Sequence, residues 1–392
     1  MKQLIISLIV LFGINYGLHS QGSLEDILAE VEKNNTSLSA LRLSADAEKT
    51  GNLTGLYPQN PEIGFNYLWG NPTVIGNRTG MTFIQSFDFP TTYKYQNQIS
   101  QIRNEQVELE YLKQQKELLL QTRLILYELI YLNGIELELS IRLSHAENLA
   151  SSYKTKFDIG DVNILEYNKA QIYLLNTRKE LELIEIEKDA SSSELSRLNG
   201  GIPTIFTTSK YQSPSIPEDF EEWYVEAEQN NPILNWLKQE IEVSQKQEKL
   251  SSAKALPKIN AGYLSEKIIG QEYRGITVRL SIPLWENKNK VKYAKANSIA
   301  IEGIEADNKI QFYNQLKILH AKAVSMQINA LDYRNILMKY DNTVLLQTAL
   351  EKGEINLIDY ILELSIYYES MDHVLELERD MNKTVAELKK FE

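Results

Sequence analysis

Phe157-Asp158-Ile159-Gly160-Asp161-Val162-Asn163-Ile164-Leu165-Glu166-Tyr167 is answered, 193 residues further on, by Leu350-Glu351-Lys352-Gly353-Glu354-Ile355-Asn356-Leu357-Ile358-Asp359-Tyr360. Apolar, acidic, Gly, Asn and Tyr positions coincide. A second echo lies upstream, where Gln85-Ser86-Phe87-Asp88-Phe89 matches Leu280-Ser281-Ile282-Pro283-Leu284 at an offset of 195. Two echoes at nearly one offset indicate a tandem duplication of about half the chain. Chains built from two like halves tend to make pseudo-symmetric objects such as walls, tubes or channels.

Working outward from the glycines, most of the chain reads as long helix. Ile125, Leu129, Leu132, Leu139, Leu143, Ala146, Ala150, Tyr153 and Phe157 fall mostly three or four apart, with Glu136 the polar interruption. Beyond Gly160 the pattern resumes at Ala170, Leu174, Thr177, Leu181 and Ile184, and the second half shows it at Leu337, Tyr340, Val344 and Gln347. Such spacing places one apolar seam per helix against a neighbour. With no proline to stop it, the first long helix is expected from about Tyr93 to Phe157, roughly 100 Å at 1.5 Å per residue. Gly160 and Gly353 supply the positive φ that ends a helix and turns each hairpin.

Four short stretches have period two instead. Their apolar positions are Ile63, Phe65, Tyr67 and Trp69; Met81, Phe83, Phe87 and Phe89; Ile259, Ala261 and Tyr263; and Ile276, Val278, Leu280, Ile282 and Leu284. Polar or small residues mostly alternate with them, although Leu68 is apolar and Ile84 and Gln85 break the pattern, and Pro58, Pro61, Pro90 and Pro257 bracket the stretches by stopping the helices. They read as two hairpins, at about 62–89 and 258–284, with long polar loops at Gly70 to Gly80 and Ile268 to Arg274. Apart from Met81, Ala261 and Leu284, the apolar positions are candidates for lipid contact. Four strands cannot close a barrel, and open edges in lipid leave backbone groups unpaired. If these strands enter a membrane, several chains must pool them.

Composition narrows the rest. Residues 1–20, with Lys2, the apolar run Leu4 to Ile14 and Ser20, read as a secretory signal. The first repeat is expected at 21–198, a Gly/Pro/Ser/Thr-rich linker at 199–220, and the second repeat at 221–392. Cysteine is absent, which removes disulfides and thiolate chemistry, and the formal charge of −12 disfavours a nucleic-acid partner. Of the four histidines, His320 lies in phase with Leu316 and Ala323 and reads as a packed side chain; no pair has zinc-site spacing. No nucleophile elbow, phosphate loop or dinucleotide fingerprint occurs, so neither an enzyme nor a cofactor site is expected. Lys288, Lys290, Lys292 and Lys295 read either as a solvated helix start or as a charged collar where membrane meets tunnel. Trp69 and Trp285 suit an interfacial aromatic belt.

The Ser23-Leu24-Glu25-Asp26-Ile27-Leu28 opening, Asn34-Asn35, Asn231-Pro232, the Pro58-Gln59-Asn60-Pro61-Glu62 turn, the Leu280 to Leu284 exit and both glycine tips form an ordered set. Together they make the mature chain resemble the TolC family of outer-membrane efflux proteins. The resemblance implies a mainly α fold with a transmembrane β portion: long antiparallel helical hairpins forming a periplasmic tunnel, and four strands per chain pooled by a homotrimer into a twelve-stranded barrel in outer-membrane lipid. It further implies docking to a periplasmic adaptor, which joins the channel to an inner-membrane pump for efflux or type I secretion of small molecules or metal ions. By position, the adaptor-docking and gating residues are Gly160, Asp161, Val162, Asn163 and Glu166 in the first tip. In the second they are Gly353, Glu354, Ile355, Asn356 and Asp359. Glu166 and Asp359 read either as charges at a gate or as acids favoured at helix starts. The rival reading is a soluble periplasmic coiled-coil scaffold or adaptor.

Overall fold

A computed structural model describes residues 23–392; the signal segment at 1–20 lies outside the described residues. The helices are α1 (Leu24–Asn34), α2 (Thr36–Asn52), α3 (Pro90–Asp158), α4 (Ile164–Leu198), α5 (Phe220–Asn230), α6 (Pro232–Ala253), α7 (Lys290–Lys339), α8 (Thr343–Glu351) and α9 (Leu357–Leu388). The strands are β1 (Glu62–Leu68), β2 (Arg78–Phe87), β3 (Lys258–Ile268) and β4 (Gln271–Ser281). The fold is thus mainly helical with one small sheet.

The chain forms two compact units, and neither is a sequence half. Of the described residues, the first comprises 23–34, 122–212 and 342–379; the second comprises 35–121, 213–341 and 380–392. Helix α3 has 69 residues and starts at Pro90, whose fixed φ and missing N–H suit a first helical position.

In the first unit, Leu126, Leu129, Leu132, Leu195, Leu364 and Val374 are almost fully buried. The segment after α4 is strapped down rather than loose. Buried Asn199 accepts from Asn34 at 3.0 Å and donates to Glu30 and Thr204, both at 2.9 Å. Asn133 donates to the carbonyls of Phe206 and Thr208, and the Tyr211 hydroxyl donates to the Tyr127 carbonyl at 2.7 Å.

In the second unit, Phe220 and Tyr224 pack with Ala227, Leu316 and Leu388. His320 belongs to that packing: its Nε2 lies 2.7 Å from the Pro217 carbonyl and its ring 5.4 Å from that of Phe220. Ile99 and Ile102 pack with Val243 and Leu250 in a separate cluster.

The sheet order is β1-β2-β3-β4, all antiparallel, so β1 and β4 are both edge strands. Two expectations are corrected here. The expected loop from Ile268 to Arg274 is a two-residue turn at Ile269-Gly270, with φ of 42° and 76°. Turns with two positive φ values match the twist of the flanking strands. Most of the residues read as loop are paired strand residues: Ile268 faces Gln271, Glu272 faces Lys267, and Arg274 salt-bridges Glu272 at 2.8 Å. Second, Trp69, Phe89 and Ile282 lie just beyond the strand ends rather than within them. The sheet has turned into connecting segments there, as Pro90 starts α3 and Pro283 follows Ile282.

A third departure lies in the second half. The apolar spacing runs on through Tyr340 and Val344, but α7 stops at Lys339 and α8 starts at Thr343. Asp341 and Asn342 stand at the break; both residue types compete for local backbone hydrogen bonds and favour helix ends.

Candidate functional site

Two regions carry the candidate residues: the hairpin tips in the first unit and the sheet in the second. At the first tip, α3 ends on Gly160 with φ +79°, and the Asp161 N–H reaches back to the Lys156 carbonyl at 2.8 Å. At the second, Gly353 has φ +73° and the Glu354 N–H reaches the Ala349 carbonyl at 2.9 Å. The Gly160 and Gly353 N–H groups donate to Phe157 and Leu350, at 3.0 and 3.1 Å. These bonds satisfy carbonyls that a helix end leaves unpaired.

The following helices are capped alike. Asn163 accepts from the N–H of Leu165 and Glu166 at 2.9 and 3.1 Å, and Asn356 from those of Ile358 and Asp359 at 2.9 and 3.0 Å. The asparagines, not the acids, are therefore the caps. Asp359 accepts a hydrogen bond from Asn356 Nδ2 at 2.7 Å, so its carboxylate braces its own cap. Glu166 is half-buried, and its charge, after burial itself, contributes to raising the Tyr153 phenol pKa.

The tips meet over one core. Val162 and Ile355, at equivalent positions, both pack against Leu149, Tyr153, Ala170, Leu357, Tyr360, Leu364 and Tyr368. Gly160, Asp161, Asn163, Gly353, Glu354, Asn356 and Asp359 stay exposed. One difference separates the hairpins: Phe157 stacks on Tyr167 at 5.2 Å, and Leu350 stands where the second hairpin would need its ring. Behind the tips sits a group that sequence reasoning missed, in which Arg142 pairs with Asp372 and covers the Tyr368 ring. His145 Nδ1 lies 3.2 Å from the Tyr368 hydroxyl. Burial, with the nearby Tyr173 and Tyr360 adding to it, pushes the Tyr368 phenol well above its ordinary value.

In the sheet, register decides which residues share a face. Ile63 lies opposite Phe83, Phe83 opposite Tyr263, and Tyr263 opposite Ile276. Phe87, Ile259 and Leu280 form a parallel row, and Gln85, Ala261 and Val278 another, with Gln85 its polar member. Phe65, Tyr67 and Met81 fall on this same face, which turns polar toward the Ile269-Gly270 turn with Thr79, Ser265, Lys267, Glu272 and Arg274. Gly64, Asn66, Gly80, Thr82, Ser86, Asn260, Gly262, Thr277 and Arg279 occupy the other, together with the apolar Leu68, Ile84, Leu264, Ile268 and Tyr273. Among the described residues nothing covers the apolar face: Ile276 is 86% exposed and Ile63 73%. Beyond this face, Trp69 and Phe89 are also exposed, while Ile282 continues the two-residue spacing of β4.

No family model matches the chain, and no curated protein matches it in sequence. Solved structures do. The Campylobacter jejuni CmeC outer membrane channel superposes with a TM-score of 0.76 at 14% identity, covering 94% of this chain and 84% of that one. This chain has the fold of the outer-membrane channels. The VceC outer membrane protein of Vibrio cholerae agrees, with a TM-score of 0.73 at 11% identity and 94% of both chains covered. The Neisseria gonorrhoeae MtrE outer membrane channel, solved in its open state, superposes at 0.67 and 11% identity over 94% of this chain and 88% of that one. The outer-membrane channel fold therefore extends over nearly the whole of this chain, sheet and hairpins included.

Proposed function

We propose that this protein is a passive channel in the outer membrane, extending into the periplasm and exporting small molecules or metal ions as the outer component of a tripartite efflux or type I secretion system. The observation that carries the reading is the sheet: one face is mainly apolar and exposed, turning polar at Gln85 and toward the Ile269-Gly270 turn, the other is mainly polar or small, and both edges are open. An apolar face of Ile, Phe, Tyr and Val cannot stay in water as a large patch without a partner. Lipid satisfies the face but not the edges, where each unpaired backbone group costs several kcal/mol.

Copies of the chain resolve that conflict. If β4 of one protomer pairs with β1 of the next, three protomers close twelve strands with no edge left. The polar face then lines the pore, and Thr82, Asn260 and Thr277 meet water. β2, β3 and β4, at 10 or 11 residues each, suit the length of a membrane strand.

The exposed tip residues are then the docking surface for a periplasmic adaptor, and the inner-membrane pump supplies the energy. On this reading the protein is a conduit and not an enzyme. Glu166 and Asp359 set negative charge around the tips, which favours cations and disfavours closure of a narrow ring. A soluble scaffold would leave the apolar face bare.

The test is conductance. Purified oligomer added to a planar lipid bilayer should give discrete, ohmic current steps. Protein that is stable without detergent and never conducts would overturn the reading.

A further inference from the structure

The sheet has two ends that differ in charge. At the end carrying the Ile269-Gly270 turn, cations and acids are matched: Arg78 pairs with Glu266, Arg274 with Glu272, and Lys267 lies opposite Glu272. At the other end, the foot, β2 passes into α3 and β4 into α7. There Lys258 is shared between Asp88 at 3.8 Å and Glu286 at 3.9 Å. Four more lysines follow, Lys288, Lys290, Lys292 and Lys295, all exposed. Among the described residues the side-chain partner recorded for them is Asn287, which Lys290 reaches at 3.0 Å, and no acid occurs between Glu286 and Glu302. Four like charges within eight residues repel one another, in a chain whose overall charge is −12.

The segment carrying them is held in place. Asn287 donates to the Lys254 carbonyl at 2.5 Å, tying the turn to the end of α6, and the Lys288 N–H donates to the Trp285 carbonyl at 3.1 Å. Just before the lysines, Ile282, Leu284 and Trp285 are exposed, the last two at 68% and 80%. Ile282 and Leu284 prolong the spacing of the apolar row Ile276, Val278 and Leu280. Apolar face, indole and ammonium groups therefore follow one another along a fixed stretch of chain.

We propose that Lys288, Lys290, Lys292 and Lys295, with Leu284 and Trp285, dock the anionic phosphate headgroups of the phospholipid leaflet that meets the foot of the sheet. The inference rests on the membrane-channel reading and adds a partner to it. Lysine stems lie along apolar surface while their ammonium groups reach a polar layer, and indoles favour the same depth. Each lysine near an anionic leaflet adds roughly fivefold in affinity. A soluble polyanion would neutralise the lysines but leave Ile282, Leu284 and Trp285 in water, so a phospholipid fits the whole patch better.

The test titrates the detergent-solubilised oligomer with phosphatidylglycerol or phosphatidylcholine and counts retained lipids by native mass spectrometry. Phosphatidylglycerol should be retained at least about tenfold more strongly, a margin that four lysines readily supply, and salt should weaken it. Combining Lys288→Gln, Lys290→Gln, Lys292→Gln and Lys295→Gln should abolish the preference; the same four positions changed to Arg should keep it. Equal retention of both lipids by an intact oligomer, or an unchanged preference in the Gln variant, would overturn the collar and leave the channel standing. A detergent-independent protein binding neither lipid would overturn both.

Discussion

Arg142 of α3 grips Asp372 of α9 with both terminal guanidinium nitrogens, at 2.5 and 2.9 Å, and sits over the Tyr368 ring at 4.5 Å. The arginine side chain is only 6% exposed, whereas the aspartate is partly open to water. The pair joins the two hairpins behind their tips. Removing one partner of a buried pair strands the other charge, which costs about 3 kcal/mol. Asp372→Ala should therefore lower the thermal midpoint of the purified protein by several degrees. Replacing both residues with apolar side chains of similar volume should recover most of that loss. A midpoint unchanged in Asp372→Ala would show that the pair holds nothing together.

Glu108 makes the opposite kind of contact, on an open surface. Hydrogen bonds from Arg42 and Lys49 hold its carboxyl pKa down at about 2. A depressed pKa stabilises the folded state in full above the unfolded value of about 4.5, and the stabilisation fades as pH falls through about 2. The partners are substantially exposed, so solvent screens the gain. Glu108→Gln should lower the midpoint at neutral pH by about 1–2 °C and flatten its decline between about pH 4.5 and 2. Parallel curves for the two proteins across that window would refute the contribution.

The faces of the sheet make a sharper contrast. Ile276 and Thr277 are neighbours in β4 that point to opposite faces. An arginine facing lipid costs about 2–4 kcal/mol near the membrane midplane, whereas one facing a pore does not. Ile276→Arg should sharply reduce the amount of oligomer recovered from membranes, and Thr277→Arg should leave it near normal while changing conductance. Equal recovery of both variants would mean that the apolar face does not meet lipid.

At the second tip, a Cβ built on Gly353 meets nothing within 4 Å, so the space is open and only the positive φ resists a side chain. That resistance is about 1–2 kcal/mol. Gly353→Trp should therefore assemble at normal levels yet lose adaptor binding in a pull-down, because the indole projects from the proposed docking surface. Full transport by this variant at normal abundance would count against the tip assignment.

Legibility in the sequence followed how local each signal was. Helix α3, expected from about Tyr93 to Phe157, runs from Pro90 to Asp158 because proline and glycine punctuate the chain within one turn of its ends. The tips were legible for the same reason: Gly160, Asn163 and their counterparts act through bonds spanning five residues or fewer. The Ile269-Gly270 turn is hidden because Gln271, Glu272 and Arg274 have the composition of a loop, and only cross-strand pairing makes them strand. The break after Lys339 was hidden because Tyr340 and Val344 keep helical spacing across it. Arg142 and Asp372 stand 230 residues apart, and no periodicity relates them. Asn199 is similar: its partners Glu30 and Asn34 come from the start of the chain, so a Gly- and Pro-rich connector concealed a strapped segment.

Pooling of strands between copies is the central claim, and the native mass of the mature chain extracted from membranes in mild detergent tests it most directly. Three chains per particle, dissociating only when the detergent is harsh enough to unfold them, is the predicted result. A monomer or dimer that stays soluble when detergent is removed would contradict it, since the open edges and bare apolar face would then need neither lipid nor a second copy.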